Sequence, residues 1–455
     1  MTRIGKRAVV IGAGMGGLAA SGALVGRFDD VVVLERDSLP DHPDHRAGAP
    51  QGRHVHALLT AGQQALEGLF PGFTDAMVAA GAVKVRANAD VRVEIPGYDP
   101  YPPRDLGWLT YALSRPLIEF SARTSAEAAD VRFRSRCRVR GVETTADGAA
   151  VTAVRFETDD GQTEVLGCDL VVDASGRAAP TLALLESLGR PAPEETRIGV
   201  DFAYTTQVFE PPADAHRDWK IVMTMPEPGG VPRGGLLAPL ESGLWIVSIG
   251  SVGEGLPAAE LAAFMASAES LRTPTNYQAL KHARPLGDVV CYGFRESVRR
   301  HFGRLDPLPR GLIPLGDSIC RFNPVYGQGM TVAALEAARL KRLLDERAGV
   351  ADPLAGLSPA FLTEIEAVID AAWQMSAIPD LASPTARGER PANLPFILQF
   401  GGALMELAAR DPEVHKLDAQ VRQLMLPPSA LMEPALVQRV MALIAERQAA
   451  AAAPA

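Results

Sequence analysis

The six residues Gly12-Ala13-Gly14-Met15-Gly16-Gly17 constrain this chain more than any other feature it has. An apolar, β-branched run at 7–11 leads into them, and a small-residue stretch of helical character follows through Leu24. A second apolar run at 30–34 ends on Glu35. Strand, glycine loop, helix and strand in that order belong to a parallel sheet. The spacing also carries chemistry. Gly12 permits the tight turn off the strand, Gly14 lets the backbone approach a pyrophosphate, and Gly17 lets the helix lie close to the sheet. Unpaired N–H groups at the helix start suit phosphate. Glu35, about twenty residues on, stands where a carboxylate accepts hydrogen bonds from an adenosine ribose. A dinucleotide is expected here, and the loop alone does not separate FAD from NAD.

Charge and composition remove several classes of function. The 455 residues carry a formal net charge of −9 and are 47% hydrophobic, which allows a large core and argues against a nucleic-acid partner. The densest basic stretch, Arg132, Arg134, Arg136, Arg138 and Arg140, has a period of two and reads as the solvent face of a strand over 131–139. Cys137, Cys168, Cys291 and Cys320 lie far apart with no metal-ligand spacing, so reduced thiols and no metal are expected. No leader is expected before the first apolar run, and the longest uncharged apolar stretch, near 391–405, is too short to span a bilayer. A soluble, cytoplasmic protein, monomer or homodimer, is the expectation.

Further along, 53–69 has helical spacing, and Ser114 is placed to cap a helix from Arg115 to about Ala129. Alternation over 197–250, rich in Thr, Tyr and Trp, predicts an antiparallel sheet covered on one face. The tail from Pro359 is amphipathic and helical, broken by a Pro-rich loop at 379–395, and its Ala-rich end at 448–455 is expected to fray. It reads equally as a lid, a dimer surface or a further domain. The fold class is α/β: a Rossmann-like FAD-binding domain of the glutathione reductase type, an inserted antiparallel-sheet substrate domain and a C-terminal helical region. The FAD-binding domain is expected in three segments, at 1–95, 114–192 and 288–350. A connector at 96–113 separates the first two, the substrate sheet occupies 193–287, and the helical region is 351–455.

A second motif points to flavin. The apolar run at 312–315 ends in Gly316-Asp317, and Asn323-Pro324-Val325-Tyr326-Gly327-Gln328-Gly329-Met330 leads into a long helix. Asp317 can offer a carboxylate to a polyol, and Gly327 and Gly329 let the backbone approach a flat ring. This string resembles the Gly-Asp motif of the para-hydroxybenzoate hydroxylase-like FAD-dependent monooxygenases, and most of all their polyether epoxidase and squalene epoxidase-like branch. Arg46-Ala47-Gly48, running into Arg53-His54-Val55-His56, and Ser114-Arg115-Pro116 agree with it. The resemblance covers roughly 6–345. It implies cofactor contacts at Gly12, Gly14, Met15, Gly16, Gly17, Glu35, Arg36, Arg46, Arg53, Arg115, Val139, Asp173, Gly316, Asp317, Gly327, Gln328, Gly329 and Met330. It places Pro324, Val325 and Tyr326 along the reacting edge, with no certain catalytic acid or nucleophile.

The implied activity inserts one oxygen atom from O2 into a hydrophobic small molecule of secondary metabolism, by epoxidation or hydroxylation, through a flavin C4a-hydroperoxide. Phe202, Tyr204, Met223, Met225 and Trp245 are the candidate substrate contacts. The chain departs from the family at Asp173-Ala174-Ser175-Gly176-Arg177, where an Asp-Gly pair often accompanies direct NADPH use. NAD(P)H is thus the electron source either directly or through a separate flavin reductase. The halogenase Trp-x-Trp-x-Ile-Pro string is absent. Asp173 reads as readily as a capping residue, His54 as a packed histidine, and the tryptophans as core. A reductase or dehydrogenase of the geranylgeranyl reductase-like type is the alternative activity.

Overall fold

A computed structural model describes residues 2–213, 215, 217–227, 233–253 and 258–452. The β-branched runs met first in the sequence gather into a parallel five-stranded sheet. Its order is Leu312–Pro314, Leu170–Asp173, Gly5–Ile11, Phe28–Leu34, Arg132–Arg134. Alternate residues face opposite ways. Val10, Val33, Val172 and Ile313 pack under Leu18 and Leu340 from the helices Met15–Leu24 and Gly329–Glu346. Val9, Val32, Val171 and Leu312 pack on Val154 and Phe156 of a three-stranded antiparallel sheet. With both faces covered, the strands have no polar side to show, which is why they read as continuous apolar runs.

A seven-stranded sheet forms the second layer. Its order is Cys320–Arg321, Arg284–Arg300, Glu195–Glu210, Trp245–Val252, Arg233–Pro239, Ile221–Thr224, Val91–Glu94. Its pairs are antiparallel except the last, which is parallel. Phe209, Val222, Leu237, Val247 and Ile249 lie on one face under Phe264 and Leu280. The period of two then puts Tyr204, Thr206 and Ser248 on the other face. The helices Leu357–Ala382, Leu394–Arg410, Pro412–Arg422 and Pro434–Ala452 complete the chain, the last three sharing an apolar cluster around Leu404, Val414 and Val440.

The structure redraws several elements. Residues 91–94, placed by sequence in the first nucleotide-binding segment, pair with Ile221–Thr224 in the second sheet. The connector at 96–113 includes the strand Leu109–Ala112, paired with Val83–Arg86. The alternating arginines do not form one strand: Arg136 adopts φ +56° and divides Arg132–Arg134 from Arg138–Thr144. The helix expected over 53–69 begins only at Thr60, whose N–H and hydroxyl both bond Gln423 Oε1 at 2.9 Å. Pro379 lies inside its helix, which continues to Ala382. Residues 453–455 of the Ala-rich end lie outside the described residues.

Candidate functional site

Two helices begin at one cavity without side-chain caps. Met15–Leu24 starts after Gly14, and Gly329–Glu346 starts after Gln328; neither has an acidic residue in its first turn. Uncapped first-turn N–H groups and the positive ends of the helix dipoles favour a bound anion. Between them lies a cavity of about 740 Å³. Gly17 makes the first arrangement possible: a Cβ there would stand 1.8 Å from the Gly12 carbonyl oxygen. Gly14 differs, because a Cβ there meets nothing within 4 Å, leaving open space at the helix start.

A buried ionic cluster fixes the wall beside this loop. Glu35 accepts from the Ala13 N–H at 2.7 Å and the Asp37 N–H at 3.0 Å. Arg46 lies 3.4 Å from Glu35 and donates to Glu119 at 2.9 and 3.1 Å. Arg115 donates to the other Glu119 oxygen at 2.7 and 2.9 Å. This i,i+4 pair explains a cation at a helix start, where the dipole would otherwise disfavour it. Ser114 Oγ accepts from the Leu117 N–H at 3.3 Å and caps that helix. Although burial opposes ionisation, the Arg115 and Arg46 guanidinium groups hold the Glu119 carboxyl below its ordinary value. Glu119 and Asp37 are the members of this cluster that motif reasoning missed; for Glu119 its spacing from Arg115 was the available signal.

The far end of the cavity presents Asp317, whose carboxyl opens to the cavity yet is raised by the surrounding protein's displacement of solvent, against the opposing pull of Arg321, Arg115 and Arg300. Behind it, Glu336 accepts from the Gly316 N–H at 2.6 Å, and its other oxygen is buried without a partner. Burial pushes the Glu336 carboxyl up to about 8. Gln328 lines the cavity with a buried, unpartnered Oε1.

Of the residues singled out by sequence, Gly12, Gly14, Met15, Gly16, Glu35, Arg36, Arg46, Arg115, Val139, Asp317, Pro324, Gly327, Gln328, Gly329 and Met330 line this one cavity. Gly17 and Gly316 lie just behind its wall. Asp173 is fully buried, with one oxygen bonded to Ser175 N at 3.0 Å and the other to Thr181 N and Oγ1 at 3.1 and 2.6 Å, a capping arrangement. Arg53 and Val325 are exposed and outside the lining; Tyr326 is also outside it, half-buried with its hydroxyl turned to Asp380.

The sheet side is built from rings. Tyr204 lines the cavity, with Phe202 at 5.4 Å, Tyr292 at 5.6 Å and His54 at 4.5 Å, centroid to centroid. His54 stands on an extended segment and is 3% exposed. Its Nδ1 lies 2.7 Å from Thr206 Oγ1, which lies 2.5 Å from Ser248 Oγ. Burial first, then the nearby His45 and Arg53, bring its imidazole down to about 4, so it is neutral near pH 7. Trp245 falls on the opposite face, packed with Trp219 and beneath Arg217. Met223 shares the parity of the inner face without reaching the cavity lining, and Met225 lies beyond its strand and is exposed. Among the described residues, no group of three or more His, Cys, Asp or Glu is arranged to hold a metal, and no helix is long and apolar enough to cross a membrane.

No protein-family model matches the chain. Protein Rv3254 of Mycobacterium tuberculosis is 31% identical over 423 residues, which are 87% of this chain and 85% of that one. Among solved structures, the flavin-dependent brominase Bmp2 superposes with a TM-score of 0.64 at 15% identity, over 97% of this chain and 99% of that one. A flavoprotein/dehydrogenase from Cytophaga hutchinsonii gives 0.66 at 14% identity, over 98% and 99%. The probable FAD-dependent monooxygenase pqsL from Pseudomonas aeruginosa gives 0.57 at 16% identity, over 82% and 96%. These likenesses establish the fold class: a Rossmann-like parallel sheet joined to an antiparallel sheet and C-terminal helices.

Proposed function

The chain belongs to the family of that mycobacterial protein, and we propose that it is an FAD-dependent monooxygenase placing one oxygen atom from O2 on a hydrophobic small molecule. The observation that carries this reading is the convergence of two uncapped helix starts on one cavity, with a strand-end acid beside each. The residues fit FAD in character and order. Open space at Gly14 suits the pyrophosphate, Glu35 the adenosine ribose and Asp317 the ribityl hydroxyls. The Gly327–Met330 amides and the unpartnered Gln328 oxygen suit the polar edge of the flavin ring. A volume of about 740 Å³ is ample for a cofactor with a portion of a substrate.

When bound and reduced, FAD supplies the two electrons that O2 needs to give one oxygen atom to substrate and one to water. This chain's residues bind, orient and exclude water. Pro324 walls one side, and Tyr204, backed by the rings of Phe202 and Tyr292, forms an aromatic roof that suits an apolar ligand. His54, neutral and fixed by Thr206, offers one hydrogen-bonding group in that roof. Epoxidation or hydroxylation is the preferred reaction, since the fold also serves halogenases among its neighbours but this chain lacks their Trp-x-Trp string.

The deciding experiment is a visible spectrum of the purified protein with added FAD, then anaerobic NADPH and oxygenated buffer. Bound flavin whose reoxidation accompanies oxygen transfer to a substrate supports the reading. Reduction by a chemical reductant but not by NADPH points to a separate reductase. Substrate turnover without oxygen uptake favours the reductase or dehydrogenase alternative, and failure to bind FAD overturns the proposal.

A further inference from the structure

One stretch of the cavity wall is held from outside both sheets. Asn323 and Pro324 line the cavity, and residues 324–326 make a single 3-10 turn that closes on Gly327 at φ +65°. Asn323 Oδ1 accepts from the Val325 N–H at 3.2 Å inside this turn. Asn323 Nδ2 donates to Asp380 Oδ1 at 2.9 Å, and the Tyr326 hydroxyl donates to the same oxygen at 2.8 Å. Both ends of the turn thus converge on one carboxyl oxygen, carried by the C-terminal helix Leu357–Ala382. Asp380 is buried, its Oδ2 has no partner, and Ala377 and Leu381 beside it belong to an apolar cluster.

A carboxyl is an unfavourable choice for such a place if packing is its only task. Burial raises it to about 6 despite both hydrogen bonds. Its shared oxygen does what no apolar residue can, fixing the separation of Asn323 from Tyr326. That separation sets where Pro324 stands and where the Gly327–Gly329 amides point.

We propose that Asp380 is a positioning residue for the flavin-ring end of the cavity, which makes the C-terminal helical region a component of the site. The inference rests on the FAD reading above and adds to it a residue that never touches cofactor or substrate. It predicts a division of effects. The proposed adenosine and pyrophosphate contacts belong to the other helix start, at Gly14, and to Glu35, so Asp380→Ala keeps FAD affinity within about threefold of wild type. The visible circular dichroism of bound FAD, a report of the ring's surroundings, changes, and reoxidation of photoreduced FAD by O2 shifts about tenfold. Asp380→Asn retains an acceptor oxygen for both donors and stays close to wild type. Tyr326→Phe removes one of the two bonds and falls between.

Thermal unfolding of each variant tests for simple destabilisation. If Asp380→Ala does not fold, Asp380→Asn and Tyr326→Phe carry the comparison. An Asp380→Ala protein with wild-type flavin dichroism and reoxidation overturns the proposal. So does an Asp380→Asn protein as altered as Asp380→Ala, because charge rather than the shared acceptor would then matter. Wild-type protein that binds no FAD removes the functional reading, and this inference with it.

Discussion

The two sides of the cavity are made of different material. Toward the parallel sheet it is framed by backbone features, glycines, helix starts and strand ends, with the charged groups of Glu35, Arg46, Arg115 and Asp317 beside them. Toward the seven-stranded sheet it meets a side chain, the ring of Tyr204, backed by the neighbouring rings and by the hydroxyl pair behind His54. Backbone presents the same groups whatever the sequence, so it suits a constant ligand. Side chains vary without disturbing the ladder, so they suit a ligand that differs between relatives. On the function proposed above, the backbone-framed side takes the cofactor and the ring-built side the substrate.

Substitutions sharpen or break this contrast. The largest effect is expected from Gly17→Ala, where the new methyl meets a backbone oxygen at 1.8 Å. A loss of about 3 kcal/mol or more in urea unfolding is expected, and a stable variant would mean the loop–helix approach is looser than drawn. Arg46→Ala comes next. It leaves Glu35, Asp37 and Glu119 without a shared cation, and about 3 kcal/mol should be lost. Gly14→Val should leave unfolding unchanged, since nothing in the protein crowds it, yet weaken FAD binding at least about tenfold, read by titration of apoprotein. Equal FAD affinity in that variant would break the assignment of the phosphate end.

On the side-chain face, Thr206→Val removes the partner of His54 and should lower stability by about 1 kcal/mol while FAD affinity holds. A loss of FAD binding there would erase the distinction between the two sides. The smallest effect at pH 5 belongs to Glu336→Gln, and it grows with pH. The folded-state carboxyl, near 8, lies above its unfolded value of 4.5, so the folded protein keeps a proton that the unfolded chain releases between them. Stability from this group is complete below about 4.5 and lost as pH rises toward 8. Urea midpoints of wild type should therefore fall relative to Glu336→Gln over that window, and parallel curves would show that Glu336 is ionised.

The same division explains what the sequence disclosed. Glycine spacing and β-branched runs are local signals, and they placed the strands at 7–11 and 30–34 and the loop between them correctly. The start of the helix at Thr60 depends on Gln423, 363 residues away, and no local periodicity reports that. Arg284–Arg300 reads as a strand only in its middle, because its charged ends pair with acids such as Glu210 and Glu195 rather than with a core. Trp245 and Tyr204 look alike as aromatic residues in alternating segments. Only strand pairing shows that they face opposite ways, because parity across neighbouring strands is a tertiary fact.

The order of strands in the parallel sheet also bears on how the protein is made. The glycine loop emerges in synthesis long before the strand that completes its sheet, Leu312–Pro314, and the helix packed over it, Gly329–Glu346. Nearly three quarters of the chain must be available before the first motif is fully enclosed. Such long-range pairing is slow to form and leaves apolar strands exposed meanwhile. An amino-terminal fragment containing the whole glycine loop is therefore expected to aggregate, while the intact chain folds.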